Sequence, residues 1–177
     1  MKYIRTITDE DFDLEEIEMN NPRIRLGARG IVFNKDNNIA ILNKQFKNEY
    51  KLVGGGIYKD EEPQEAFKRE VLEEAGCNID ITHFLGIIEE IKTHDNFKQL
   101  SYVFVGKVIG DINEPNFTLK EREEGARIIW VSIDEAMSLI KNSEKKLFSS
   151  KYESIYHTKF IVRRDYEILK HYRNMYM

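Results

Sequence analysis

At 177 residues, 41% apolar and 33% charged, the chain can bury a sizeable core as one domain and is too mixed in composition to be disordered or fibrous. A formal net charge of −4 leaves no basic surplus to offset a nucleic-acid backbone, so no stable nucleic-acid partner is expected. No apolar run approaches the roughly 18–20 residues of a membrane span, the first residues lack a signal-peptide core, and the single Cys77 suits a reducing cytoplasm.

Residues 1–22 read as a short strand followed by an acidic stretch, Asp9 to Met19, that could wind into a short helix. From Arg23, RIRLGARGIVFN is rich in β-branched and aromatic residues and predicts a strand. A KDNN turn at 35–38 with IAILNKQ after it predicts a hairpin. Tyr50 to Val53 predicts a short strand running into Gly54, Gly55 and Gly56. Residues 62–75 predict a helix, with Pro63 suited to its first turn and Gly76 to the residue just past its end. Ile79 to Ile91 and Leu100 to Ile109 predict two strands about a polar turn at 94–96. A loop carrying Glu121, Glu123 and Glu124 follows, then a short strand from Arg127 to Val131. Ser132 can cap a helix to about Lys141, with Glu135 at the capping-box spacing. The tail from Lys151 to Met177 reads as a helix that docks through Phe160, Ile161 and Ile168. This order predicts an α/β fold, a mixed sheet with helices on both faces.

The helix at 62–75 breaks a local rule. On a wheel of about 100° per residue, Glu73 and Glu74 fall within roughly 60° of Glu70, while Phe67, Val71 and Ala75 form an adjoining apolar arc. A solvated acidic face is the common explanation of such a cluster. Against it, Glu70 and Glu74 repel at i, i+4, and the acids gather at the end of the helix where the dipole disfavours them. Oxygen-only donors without a His or Cys cluster select hard cations, Mg²⁺ or Mn²⁺. Bare glycine backbone at 54–56 can approach a phosphate or offer a carbonyl to a metal.

The spacing then becomes diagnostic. Gly55, five residues, Glu61, seven residues, and Arg69-Glu70-Val71-Leu72-Glu73-Glu74-Ala75-Gly76-Cys77 match the Nudix box at all nine fixed positions. The box covers only 23 of the 177 residues, but the hairpin before it, the strands after it and the segment Trp130 to Ala136 also resemble that family, over about 23–142. The resemblance implies an α/β/α sandwich and a metal-dependent pyrophosphohydrolase that cleaves a small-molecule nucleoside diphosphate derivative with water. It implies Glu70, Glu73, Glu74 and the Gly55 carbonyl as metal ligands, with Glu70 also a candidate base. Arg69 and Glu61 would pair to fix the loop against the helix. Some members take the base from a loop outside the box, which makes Glu124, then Glu121, the candidates here.

Arg29 shares strand parity with Arg23 and Arg25 and is a candidate substrate contact; otherwise it is a sheet-surface charge. Gly54, Gly55 and Gly56 are candidate substrate contacts beside it. His94 reads as an exposed turn residue, and Cys77 as core packing. Val53, Asp60 and Glu62 depart from the usual Pro, Gly and Ser or Thr of the family, which bears on loop geometry and removes no ligand. The competing function is a catalytically inactive nucleotide-binding or sensor domain; trimming of RNA 5′ ends is a third, disfavoured by the acidic balance. Residues 1–22 and about 145–177 read as extensions of a single domain that could shape a substrate pocket or a homodimer contact.

Overall fold

A computed structural model describes residues 2–177. Seven strands form one mixed sheet: β1 (Tyr3–Ile7), β2 (Arg23–Phe33), β3 (Ile39–Lys44), β4 (Glu49–Gly56), β5 (Asn78–Lys92), β6 (Phe97–Ile109) and β7 (Ala126–Val131). Their spatial order is β1-β5-β6-β2-β4-β3-β7. The helices are α1 (Pro63–Ala75), α2 (Leu119–Glu123), α3 (Ile133–Ser143) and α4 (Ile155–Tyr176).

Strand alternation sends successive side chains to opposite faces, and two cores result. Ala28 and Val32 of β2, Ala40 of β3 and Val53 of β4 pack with Phe67, Val71 and Ala75 of α1. Ile31, Ile41 and Leu52 point the other way and pack with Ile140 of α3 and Phe160, Ile168 and Leu169 of α4. Helices therefore cover both faces, the α/β/α sandwich expected of the mixed pattern.

Several local expectations are corrected. The acidic stretch after β1 forms only a 3₁₀ turn, Asp9–Phe12, which Thr8 caps and Asp13 closes with a left-handed φ of 57°. The strand pair around the KDNN turn meets at Phe33 and Ile39 alone. Beyond that point β4 inserts between the two, pairing Val53–Gly56 with β2 and Glu49–Leu52 with β3. β4 thus runs past its expected end at Val53 and through all three glycines to Gly56. The loop expected around Glu121 forms the short helix α2, whose N-terminus is closed by reciprocal Thr118 and Glu121 bonds. Both chain ends join the same layers. β1 pairs in parallel with β5, and α4 covers one sheet face. Among the described residues no helix is long and apolar enough to cross a membrane.

Candidate active site

The apolar arc of α1 seats Phe67, Val71 and Ala75 against the sheet, and this turns Glu70 and Glu74 toward the glycines of β4. The approach is close. A β-carbon on Gly55 would lie 2.4 Å from Oε1 of Glu70, and one on Gly54 would lie 2.4 Å from the Ala28 carbonyl oxygen. Gly54 also takes a φ of 137°, which side-chain-bearing residues rarely adopt. Its N–H donates to Oε2 of Glu74 at 2.7 Å, and Lys51 Nζ lies 3.6 Å from the other oxygen. Burial, reinforced by Glu70, raises the Glu74 carboxyl to about 7 in spite of Lys51 and the Gly54 N–H.

Arg69 locks this arrangement. Its Nε and Nη2 donate to the two oxygens of Glu61 at 2.8 and 3.0 Å, and Nη2 also donates to the Gly56 carbonyl at 2.9 Å. Nη1 donates to Oε1 of Glu70 at 2.7 Å and reaches Glu73 at 3.4 Å. The guanidinium stacks 4.0 Å from the centre of the Tyr58 ring. Hydrogen bonding to Arg69 is the main reason that the Glu61 carboxyl lies below its ordinary range. The departures from the family pattern are visible nearby. Asp60, where glycine is frequent, holds a left-handed φ of 64°, and Glu62 occupies the cap position of α1 without a side-chain cap bond.

Lys51, Gly54, Gly55, Gly56, Glu70 and Glu74 line a cavity of about 190 Å³, and Arg69 braces it through Glu70 and Gly56. Arg25 and Arg29 of β2 reach it together, as their shared parity predicts, and Arg29 is anchored by donating Nε to Ser101 Oγ at 3.1 Å. Burial first, then the neighbouring Arg164, lowers Arg29 to about 10. Glu121 also lines the cavity, whereas Glu124 does not. Glu124 is buried against Lys44 at 2.7 Å and accepts from Ser150 Oγ at 2.6 Å. Glu73 stays outside as well, its side chain 42% exposed.

Glu70, Glu74 and the Gly55 backbone supply an all-oxygen donor set suited to a hard divalent cation, and Gly55 leaves room that any β-carbon would fill. Among the described residues no three His, Cys, Asp or Glu side chains already converge at metal-binding distance. His94 is exposed, with Nε2 at 2.9 Å from the Glu15 carbonyl oxygen, and Cys77 is packed in the α1 core.

The C-terminal extension, read from the sequence as able to shape a substrate pocket, does so through residues of α4 that the sequence did not single out for that role. His157, Ile161 and Arg164 line the cavity wall opposite α1, with Glu153 just before the helix. The signal was present: Arg164 lies four residues after Phe160 and four before Ile168, so a charge interrupts the apolar stripe.

The family model for the NUDIX domain matches residues 23–152. Over 109 residues the chain is 27% identical to diphosphoinositol polyphosphate phosphohydrolase 3-alpha of Mus musculus, a match spanning 60% of this chain and 62% of that protein. It is 28% identical over 106 residues to a putative 8-oxo-dGTP diphosphatase of Bacillus subtilis, spanning 60% of this chain and 65% of the other. The match therefore spans less than two thirds of these relatives' lengths. Among solved structures, the MutT protein from Methanosarcina mazei Go1 superposes with a TM-score of 0.52 at 20% identity, over 84% of this chain and 97% of that one. A NUDIX hydrolase from Nitrosomonas europaea gives 0.55 at 18% identity, over 81% and 93%. These structural likenesses carry the fold.

Proposed function

The chain belongs to the Nudix family, and from that membership we propose that it is a metal-dependent pyrophosphohydrolase. It would cleave the diphosphate linkage of a small molecule, with a nucleoside diphosphate derivative as the substrate class to test first. The observation that carries this reading is the contact between the Gly54–Gly56 backbone and the carboxylates of Glu70 and Glu74, in a cavity whose other wall bears Arg25 and Arg29. Bare backbone, paired acids and cations together suit a phosphoric anhydride, and no single one of them would suffice. The single buried Cys77 suits a cytoplasmic enzyme.

Glu70, Glu74 and Gly55 would hold Mg²⁺ or Mn²⁺, with Glu73 as the peripheral third acid. When bound, the ion supplies charge neutralisation at the phosphate oxygens and a more acidic attacking water. The chain's own residues do the rest. Arg25 and Arg29 bind phosphate oxygens and orient the bridge. Arg69, braced by Glu61, holds Glu70 and the Gly56 carbonyl in place. Glu121 is the preferred proton acceptor: it lines the cavity, while Glu70 is tied to Arg69 and Glu124 to Lys44 and Ser150. Burial would raise Glu121, yet bonds from the Thr118 N–H and hydroxyl outweigh it and keep the carboxyl below its ordinary range. It is therefore ionised at neutral pH, and Oε1, the oxygen that Thr118 does not engage, is the one to receive the proton of water.

A panel of phosphoric anhydrides with Mg²⁺ or Mn²⁺, nucleoside diphosphate derivatives among them, tests the reading by released phosphate or monophosphate. Glu70→Gln and Glu74→Gln should lose nearly all turnover with the fold retained. Glu121→Gln should lower kcat by about 100-fold or more while KM changes little; a kcat within twofold of wild type removes Glu121 from proton transfer. Tight nucleotide binding without cleavage of any member of the panel would favour the sensor reading instead.

A further inference from the structure

The arginine that α4 brings to the cavity is only partly used. Arg164 is 2% exposed, and its Nε donates to Asp165 Oδ1 at 2.7 Å while Nη1 donates to Glu90 Oε2 at 2.8 Å. Its Nη2 is buried and has no hydrogen-bond partner. The two carboxylates leave it no freedom to find one. Asp165 is fixed in turn by accepting the Leu52 N–H at 2.8 Å, and Glu90 by Lys92 at 3.0 Å. A buried donor without an acceptor costs about 1–3 kcal/mol, and here it belongs to a cation in the wall of a cavity.

A second guanidinium lies nearby. Arg29 donates to Ser101 and has no ion-pair partner among the described residues. Arg164 lies close enough to contribute, after burial, to lowering the Arg29 pKa. Two buried cations at one place repel, unless an anion shared between them completes both. Arg29 and Arg164 together face only Glu90 and Asp165, and Glu90 is shared with Lys92, on which Asp95 also acts. His157 is the one aromatic ring lining the cavity among the described residues, against four arginine and lysine side chains of β2, β3 and β4, so a group held here is held chiefly by charge. Planar N–H edges match tetrahedral oxyanions in pairs.

We infer that Arg29 and Arg164, both lining the cavity, form an oxyanion subsite, which takes a phosphoryl group of the substrate beyond the two joined by the bridge being cut. The inference rests on the hydrolase reading and narrows it to substrates with a third phosphoryl group. Arg164 lies after residue 152, outside the stretch that matches the family. The subsite is therefore a feature of this chain's C-terminal helix.

The test is a calorimetric titration of wild type and Arg164→Lys with inorganic tripolyphosphate, pyrophosphate and orthophosphate in EDTA, which takes turnover out of the readout. Tripolyphosphate should bind wild type the tightest of the three, and Arg164→Lys should weaken it about tenfold or more with far-UV circular dichroism preserved. Unchanged affinity in the folded variant overturns the subsite. Equal affinity for orthophosphate and tripolyphosphate assigns the site to free phosphate, and so overturns the substrate role. If Arg164→Lys does not fold, wild-type crystals soaked in tungstate decide: anomalous density within hydrogen-bonding distance of Arg164 Nη2 supports the subsite, and its absence there overturns it. Failure of the hydrolase reading would look different. Metal-loaded protein would leave every anhydride intact while Arg164 still bound tripolyphosphate.

Discussion

Arg69 makes contacts that only a planar group of five donors can make together: both oxygens of Glu61, the Gly56 carbonyl, Glu70 and the face of Tyr58. A lysine would keep the charge and lose the fork. Arg69→Lys keeps the charge at this part-buried position and should therefore cost far less in stability than in turnover, lowering kcat by about 100-fold, because a shift of the Glu70 carboxylate near 1 Å has that effect. Parallel melting curves and turnover measurements would separate the two. Glu90 is the opposite case, a residue whose loss should appear in stability. Burial opposes its ionisation, but Arg164, Lys92 and Arg29 outweigh burial and hold the carboxyl well below its ordinary value of 4.5. Its contribution is thus complete above 4.5 and is lost as pH falls toward the depressed folded value. Glu90→Gln should cost about 3–5 kcal/mol at pH 7, since it leaves Arg164 and Lys92 facing an uncharged amide. The gap from wild type should narrow between pH 5 and pH 3. Urea midpoints at the three pH values check this, and a gap that widens in acid refutes it.

At the scale of elements, the glycine strand and the glutamate helix function as one unit, because neither has its active geometry alone. Gly55→Ala would drive a methyl group to 2.4 Å from Glu70 Oε1. The carboxylate can swing away, so the fold should survive with a melting temperature within a few degrees of wild type. Turnover should fall by about 100-fold or more as Glu70 leaves its position; an active Gly55→Ala would mean that the contact has no catalytic consequence. This unit was legible in the sequence. Helical periodicity is a local property that groups Glu70 with Glu74, and the resemblance to the box adds Arg69 and the glycines without any tertiary contact. What was illegible is non-local. A turn signal at 35–38 marks a reversal of the chain, but it does not say that β4 will insert between β2 and β3. A glycine run reads equally as a turn or as a strand with a close neighbour, and only the Ala28 carbonyl beside Gly54 decides for the strand. Arg164 reads as a helix charge until folding brings Glu90, 74 residues earlier, to its Nη1.

At the scale of the whole molecule, the family match ends at residue 152 while the core does not. Phe160, Val162, Ile168 and Leu169 of α4 are fully buried beside Ile31, Ile41 and Leu52 of the central strands. Each fully buried apolar side chain of this size contributes about 1.5–3 kcal/mol, and whole domains are stable by only about 5–15 kcal/mol. The loss would go beyond apolar area. Without α4, the Leu52 N–H loses Asp165, and Glu90 loses Arg164, so a buried donor and a buried carboxylate would be left in the sheet. A chain ending at residue 152 should therefore fail to fold cooperatively, even though it retains every position of the box. Far-UV circular dichroism and amide proton dispersion of that truncated chain test this, beside full-length protein unfolded in urea. For the full chain, fluorescence of Trp130, which packs on the α1 side, and ellipticity, to which α4 contributes as the longest helix, should trace one coincident transition. Two separate transitions, or a folded 1–152, would mean that α4 is an appendage. In that case Arg164 would reach the cavity from outside the folding unit, and the helix could move without unfolding the sheet beneath it.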